Sequence, residues 1–147
     1  FEKKQSYRYH ISYKINENIN LRNRIEFTQY QQKDRNQYGF LILQDINFDL
    51  EKIPLSFYLR YAVFDAQYDA RIYAYENDLL YNFSVPAYSG KGSRFYAMVK
   101  YRLNDYFEFR IRYSRYFYPL EQTIGSGLDE IDGNLKSEIK LQIVMRI

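Results

Sequence analysis

Apolar and polar residues alternate along most of this chain. In the stretch YFEFRIRYSRYFY, residues 106–118, the side chains of Phe107, Phe109, Ile111 and Tyr113 fall on one side and those between them on the other. An alternation with period two is typical of a β-strand. It recurs in SYRYHISYKI, INLRNRIEFTQY, LSFYLRYAVF, RFYAMVKYRL and SEIKLQIVMRI, and less cleanly in GFLILQDINFDL. The pattern therefore predicts strands along nearly the whole chain.

These strands predict an all-β fold, an antiparallel meander of about eight or nine strands, since no segment of useful length has a helical period. Residues 70–84 could hold one strand or two. The connections NEN, LEKIP and ND are short, whereas QQKDRNQY, SVPAYSGKGS and PLEQTIGSGLDEIDGNLK are long. Short turns at one end and long loops at the other are typical of outer-membrane barrels. A ninth strand within residues 70–84 would bring all the short turns to one end.

Composition narrows the class of protein. The 147 residues suffice for one domain, and they include 18 Tyr and 11 Phe but no Trp and no Cys. Without cysteine, neither a disulfide nor a thiolate metal site can form. The mean hydropathy is −0.59, and no run approaches the roughly 18 apolar residues of a transmembrane helix. That excludes a helical membrane protein but not a membrane barrel, whose strands are short and alternate. The net charge of +3 gives little reason to expect nucleic-acid binding by bulk electrostatics.

Two all-β interpretations fit the alternation. A soluble sandwich or lipocalin-like barrel would bury the apolar faces, whereas a membrane barrel would turn them towards lipid. The sequence favours the membrane barrel for three reasons. Tyrosine is abundant on the apolar faces, and each buried hydroxyl would need a partner in a soluble core. Arginine outnumbers lysine on the polar faces, which suits paired, partly desolvated sites. Strands of about ten to thirteen residues match a tilted membrane crossing.

We therefore expect an antiparallel up-and-down transmembrane β-barrel, with the polar faces lining its lumen. Buried charges must be paired, so the lumen is expected to combine both signs. An alternative is a basic lumen that guides an anionic substrate, including single-stranded nucleic acid. The predicted basic residues of the lumen are Arg22, Arg24, Arg60, Lys100, Arg102, Arg110 and Arg112, and their acidic partners are Glu26, Asp45, Glu108 and Glu138. The predicted lipid-facing residues are Phe107, Phe109, Ile111, Tyr113, Ile139, Leu141 and Ile143. Arg115 points outward by parity and is expected at headgroup level, with the outer loop beginning near Ser114.

The last third of the chain carries a resemblance. The segments RIYAYENDLLY, GKGSRFY and IGSGLDEIDGN, the last followed by SEIKLQ, resemble the C-terminal barrel region of helix-hairpin-helix domain-containing outer-membrane proteins of Bacteroidetes-type bacteria. The resemblance implies that residues 1–147 are the C-terminal part of a longer protein with a larger barrel, located in the bacterial outer membrane. One departure is the terminal Ile147, where such barrels commonly end in an aromatic residue. The resemblance assigns no enzymatic activity to any position.

Three local motifs are candidate sites. His10 and Ser12 share one side of a strand, the spacing of an outer-membrane lipase-type hydrolase, with Asn20 or Asn23 as a possible orienting residue. Gly90, Lys91 and Gly92 resemble a phosphate-binding loop only superficially, and a flexible outer loop is the favoured interpretation. The acidic residues around GSGLDEIDGN lack the spacing of an EF-hand; they are Asp129, Glu130 and Asp132, followed by Asn134.

The sequence thus predicts a structural, channel or complex-scaffold role without catalysis, cofactor or metal. The expected partners are outer-membrane lipid and other outer-membrane or periplasmic proteins in a complex. The alternatives are a component that binds or takes up a polyanion such as DNA, and a hydrolase that uses His10 and Ser12.

Overall fold

A computed structural model describes residues 1–33, 35–50 and 52–146 of the chain. Antiparallel strands dominate the fold. In chain order they are β1 (Glu2–Lys14), β2 (Ile19–Gln32), β3 (Arg35–Asp49), β4 (Leu55–Ala66), β5 (Ile72–Tyr73), β6 (Ala87–Tyr88), β7 (Gly90–Arg102), β8 (Phe107–Phe117), β9 (Thr123–Ile124), β10 (Ile131–Asp132) and β11 (Leu135–Met145). Two single 3₁₀ turns, Tyr68–Ala70 and Gly127–Asp129, are the helical elements of the described residues.

Seven long strands form one sheet in the order β1-β2-β3-β4-β7-β8-β11. Each long strand pairs antiparallel with the long strand that follows it in the chain. The predicted all-β antiparallel meander is therefore confirmed. The sheet is open, since β1 and β11 are its two edges and no pairing joins them within the described residues.

The connections alternate between the two ends of the sheet. Those between β1 and β2, β3 and β4, and β7 and β8 are short and lie at one end. The opposite end carries residues 67–89 and 118–134, the two longest connections. Two of the predicted loops, QQKDRNQY and SVPAYSGKGS, are wrong because strands extend into them. In the first, β2 reaches Gln32 and β3 begins at Arg35; in the second, β7 already begins at Gly90. Strand β8 likewise continues past Ser114 to Phe117, because the backbone ladder pairs whatever the polarity of the side chains.

The main sheet has seven strands, so the predicted count of eight or nine is also wrong. The reason is that residues 67–89 fold back across one face of the sheet instead of adding a strand to it. We call residues 67–89 the inner segment and the face that it covers the inner face. Within residues 70–78 of the segment, every second side chain is buried: Ala70, Ile72, Ala74, Glu76 and Asp78. The Ala70 carbonyl lies so close to Gly39 of β3 that a Cβ on this glycine would stand 2.3 Å from the oxygen. The alternation that predicts a further strand within residues 70–84 therefore reflects the packing of the inner segment on the face of the sheet.

Burial in the sheet is inverted relative to a protein with an apolar core. The most completely buried large side chains include Arg112, Glu76, Glu108 and Asp45. A small apolar cluster accompanies them, formed by Leu41, Leu43, Ala62, Phe64, Ile72, Ala74 and Tyr88. The other side of the sheet, which we call the outer face, is exposed and mostly apolar. Its exceptions include Asn23 and Gln44, which are directly paired across β2 and β3, and Arg115, which is exposed.

No helix among the described residues is long and apolar enough to cross a membrane. Ile147, the departure from an aromatic terminal residue, lies outside the described residues.

Candidate functional site

The inner face carries a series of carboxylates, each shared by more than one basic side chain. At the β1–β2 edge, Glu26 accepts hydrogen bonds from Arg8 Nε at 2.7 Å and from Arg24 Nε at 2.8 Å. Arg24 also donates to the Tyr73 carbonyl of the inner segment at 3.0 Å. The Glu26 side chain is 4% exposed, so a buried charge is paired with two guanidinium groups.

Asp45 of β3 is the second node. Arg60 of β4 donates to its two carboxylate oxygens through Nε at 2.5 Å and Nη2 at 2.7 Å. Arg22 of β2 reaches the same carboxylate from the other side, with Nε at 2.8 Å from Oδ2. The Arg60 guanidinium also lies 5.5 Å from the centre of the Tyr96 ring, within the range of a cation–π contact. Three adjacent strands are thereby joined through one buried carboxylate.

Glu76 forms the third node, and it belongs to the inner segment. Arg94 binds its carboxylate in a bidentate manner at 2.6 and 2.7 Å, and Arg112 Nη2 donates to Oε2 at 2.5 Å. The Tyr88 hydroxyl donates to Oε1 at 3.0 Å. Burial raises the pKa of Tyr88, and the Glu76 carboxylate raises it further, so this hydroxyl keeps the proton that it donates. The inner segment is thus held by charge-assisted hydrogen bonds to β7 and β8.

Asp78 and Leu80 extend the contact to β11. Lys140 Nζ donates to Asp78 Oδ2 at 2.9 Å. The Gln142 amide makes two hydrogen bonds with the backbone of Leu80, accepting from its N–H at 2.7 Å and donating to its carbonyl at 3.1 Å. At the other edge of the sheet, Lys4 donates to the carbonyls of Asp69 and Arg71. The inner segment therefore spans the inner face from β1 to β11.

The last node lies near the short connections. Glu108 of β8 is buried and accepts from Arg110 Nε at 2.7 Å. Arg102 and Arg146 lie 3.7 and 3.4 Å from its other oxygen. Near this node, Lys100 Nζ lies 3.4 Å from the Tyr58 hydroxyl. Glu138 is half-exposed and lies 3.7 Å from Lys140 and 3.9 Å from Arg112, so it is held less tightly than the buried carboxylates.

The structure places all the residues predicted for the lumen on the inner face, and each of the four predicted acidic residues lies within 4 Å of a basic partner. Sequence reasoning missed Glu76, Asp78 and Arg94. The available signal was the alternation in DARIYAYEND, whose alternate positions are aliphatic and then acidic, whereas those of the long strands are rich in aromatic residues. Arg94 occupies an inner-face position of β7, although it lies close to the predicted loop.

The residues predicted to face lipid lie together on the outer face. Across β8 and β11, Phe109 pairs with Ile143, Ile111 with Leu141, and Tyr113 with Ile139. Ile139, Leu141 and Ile143 are each at least 66% exposed. They continue into exposed apolar residues of β2, β3 and β4, including Ile25, Ile42 and Val63. The outer face is thus mostly apolar, and its polar exceptions include the exposed ion pair between Asp65 and Lys91.

The other candidate motifs do not assemble a site. The Ser12 hydroxyl donates to Asn20 Oδ1 at 3.4 Å, and no hydrogen bond joins it to His10 in the part of the chain that is described. Asn23 has outer-face parity. Gly90, Lys91 and Gly92 pair with β4 as part of a strand, which contradicts the predicted flexible loop. The stretch from Asp129 to Asn134 contains the short strand β10. The described residues contain no group of three or more His, Cys, Asp or Glu side chains that could hold a metal ion.

Comparisons with family models, with curated proteins and with solved structures find no match for this chain.

Proposed function

We propose that the chain is a segment of an outer-membrane β-barrel in which the outer face contacts lipid and the inner segment fills the lumen. The observation that carries this proposal is the inverted burial. Charged side chains such as Arg112 and Glu108 are 1% exposed, whereas Leu141 is 73% exposed. In water, so many exposed apolar side chains on one face would be an unusual patch on a monomer. In lipid, it is the expected surface of a barrel.

The dimensions of the sheet support the same proposal. The long strands have 11 to 15 residues, which suffices for a tilted crossing of roughly 9–11 residues with extensions beyond the hydrocarbon. Aromatic pairs lie towards both ends of the outer face: Phe27 stacks on Tyr38 at one end, and Phe48 stacks on Phe57 at the other. Aromatic girdles at both interfaces are typical of membrane barrels.

Closure of the barrel requires further strands. β1 and β11 leave their outer backbone groups without a strand partner in the described sheet, and unpaired backbone groups cannot face hydrocarbon. We propose that strands outside this sheet pair with both edges, as the resemblance to helix-hairpin-helix domain-containing outer-membrane proteins implies. The seven strands would then be part of a larger barrel.

The inner segment favours a structural or scaffold role over a permanently open pore. Its hydrogen bonds and ion pairs reach from Lys4 of β1 to Gln142 of β11, so it lies across the path that a solute would take along the inner face. Its loss would leave Arg94 and Arg112 buried without their main partner, which is costly. We propose a role without catalysis, in the bacterial outer membrane, with other outer-membrane or periplasmic proteins as partners.

The experiment that tests the proposal is fractionation combined with heat modification. The protein carrying this chain is expressed in a Gram-negative host, and outer-membrane, inner-membrane and aqueous fractions are separated. We expect it in the outer-membrane fraction, and we expect its electrophoretic mobility in mild detergent to change on boiling, because a closed barrel resists detergent until heated. Recovery as an aqueous, heat-insensitive monomer would overturn the proposal.

A further inference from the structure

A cleft opens on the inner face beside β1, away from the Glu76 node. Its volume is about 150 Å³, and its basic and aromatic lining consists of Arg8, His10, Arg22, Arg24, Arg60 and Tyr75. At roughly 30 Å³ for each water in the liquid, this is space for about five waters. The cleft is therefore large enough for a small polar ligand, and four of its lining residues are arginines.

The charges around the cleft do not balance. Glu26 pairs with Arg8 and Arg24, and Asp45 pairs with Arg22 and Arg60. Two carboxylates thus face four guanidinium groups. Each arginine reaches its carboxylate through Nε or Nη2. The lining keeps an excess of about two positive charges in a partly desolvated place, where unbalanced charge is unfavourable.

One of these guanidinium groups is also incompletely bonded. Arg60 is 3% exposed, and its Nη1 is buried without a hydrogen-bond partner. Buried donors of this kind are rare, because leaving one unpaired costs the full desolvation penalty of the group. Arg60 is itself one of the residues that line the cleft, so its guanidinium adds to the unmatched positive charge of the lining.

We propose that this cleft binds a tetrahedral phosphate group, as inorganic phosphate or as the terminal phosphate of a small metabolite. A phosphate dianion matches the excess charge, and its oxygens can accept from several guanidinium forks at once. The cleft is formed by β1 to β4 and the inner segment alone, so the proposal does not depend on the membrane location proposed above.

The first test uses the purified full chain in a non-ionic detergent and the arginine reagent phenylglyoxal. Arg8 and Arg102 form a matched pair, because their side chains are 53% and 50% exposed and each contacts a buried carboxylate. Inorganic phosphate is added at constant ionic strength, with sodium chloride as the control, and modification of each residue is read by peptide mass spectrometry. We expect phosphate to protect Arg8 in a saturable way and to leave Arg102 unprotected. Equal protection of both residues, or of neither, would overturn the proposal.

The second test compares Arg8→Gln with Arg102→Gln by titration calorimetry. Removing one charged donor weakens phosphate binding by about tenfold, from the strength of a charge-assisted hydrogen bond. We expect that loss in Arg8→Gln and unchanged affinity in Arg102→Gln. Glycerol 3-phosphate is titrated in parallel, because binding of both ligands indicates a terminal phosphate site, whereas binding of inorganic phosphate alone indicates a site closed to larger molecules. Absence of saturable binding to the unmodified chain in both titrations contradicts the proposal.

Discussion

At the scale of single residues, the inner face depends on a few carboxylates that each hold two or more cations. Such an arrangement is stable only while every member is present, because removing one partner leaves a buried charge without compensation. The tyrosines contribute as well. Arg94 lies 4.1 Å from the centre of the Tyr116 ring, and Arg112 lies 4.9 Å from that of Tyr96. Aromatic faces thus cover guanidinium surface that the carboxylates do not reach.

Glu76→Ala tests this dependence. The change removes the carboxylate that binds both Arg94 and Arg112, so we expect the free energy of unfolding to fall by about 3–5 kcal/mol. Glu138→Ala is the matched control, since Glu138 is half-exposed and its basic neighbours Lys140 and Arg112 lie 3.7 and 3.9 Å away, and it should cost no more than about 1 kcal/mol. Both are measured by urea unfolding in detergent. Comparable losses in the two variants would contradict the importance given to the Glu76 node.

Period two predicts that residues such as Arg60 and Glu108 share one face, because a strand leaves each side chain only two directions. It could not find Glu76 as their companion. The partner of Arg94 and Arg112 lies 18 and 36 residues away in the chain, and such a pairing depends on where a long connection folds. Local alternation carries no information about that.

At the scale of elements, the inner segment distinguishes this sheet from a simple meander. The buried residues of its first half alternate just as those of a strand do, so the sequence pattern alone predicts one or two strands within residues 70–84. The inner segment differs from a strand because it packs on the face of the sheet, where specific residues accommodate it. Gly39 leaves room for the Ala70 carbonyl, and the neighbouring Leu41 and Leu43 supply an apolar patch for Ile72 and Ala74. The segment packs on a face because that face has a gap of the right shape.

Gly39→Ala tests this docking. The added Cβ would meet the Ala70 carbonyl oxygen at 2.3 Å, a contact that backbone atoms cannot relieve by a rotamer change. We expect the inner segment to shift away from β3, so that amide hydrogen exchange within residues 68–82 becomes faster. Amides of β2 and β4 in the same sample are the internal control and should keep their protection. Unchanged exchange in the inner segment would show that the close approach at Gly39 does not hold it.

At the scale of the whole molecule, the question is which solvent the outer face meets. Lipid and water can be distinguished by comparing the effect of the same substitution at two positions of one strand. Leu141 lies in the middle of β11, and Leu135 is its first residue, at the end that carries the long connections. Both have outer-face parity, with exposures of 73% and 46%. In water, an arginine at either position would be nearly neutral, because neither leucine is buried.

In a bilayer the two substitutions differ by depth. Leu141→Arg would place a guanidinium near the middle of the hydrocarbon, at a cost of about 2–4 kcal/mol, whereas Leu135→Arg near the interface would cost about 0–1 kcal/mol. We expect this difference in the free energy of unfolding measured by denaturant titration of the protein in phospholipid vesicles. Equal, small effects at both positions would mean that the apolar face meets another protein surface or water instead of lipid.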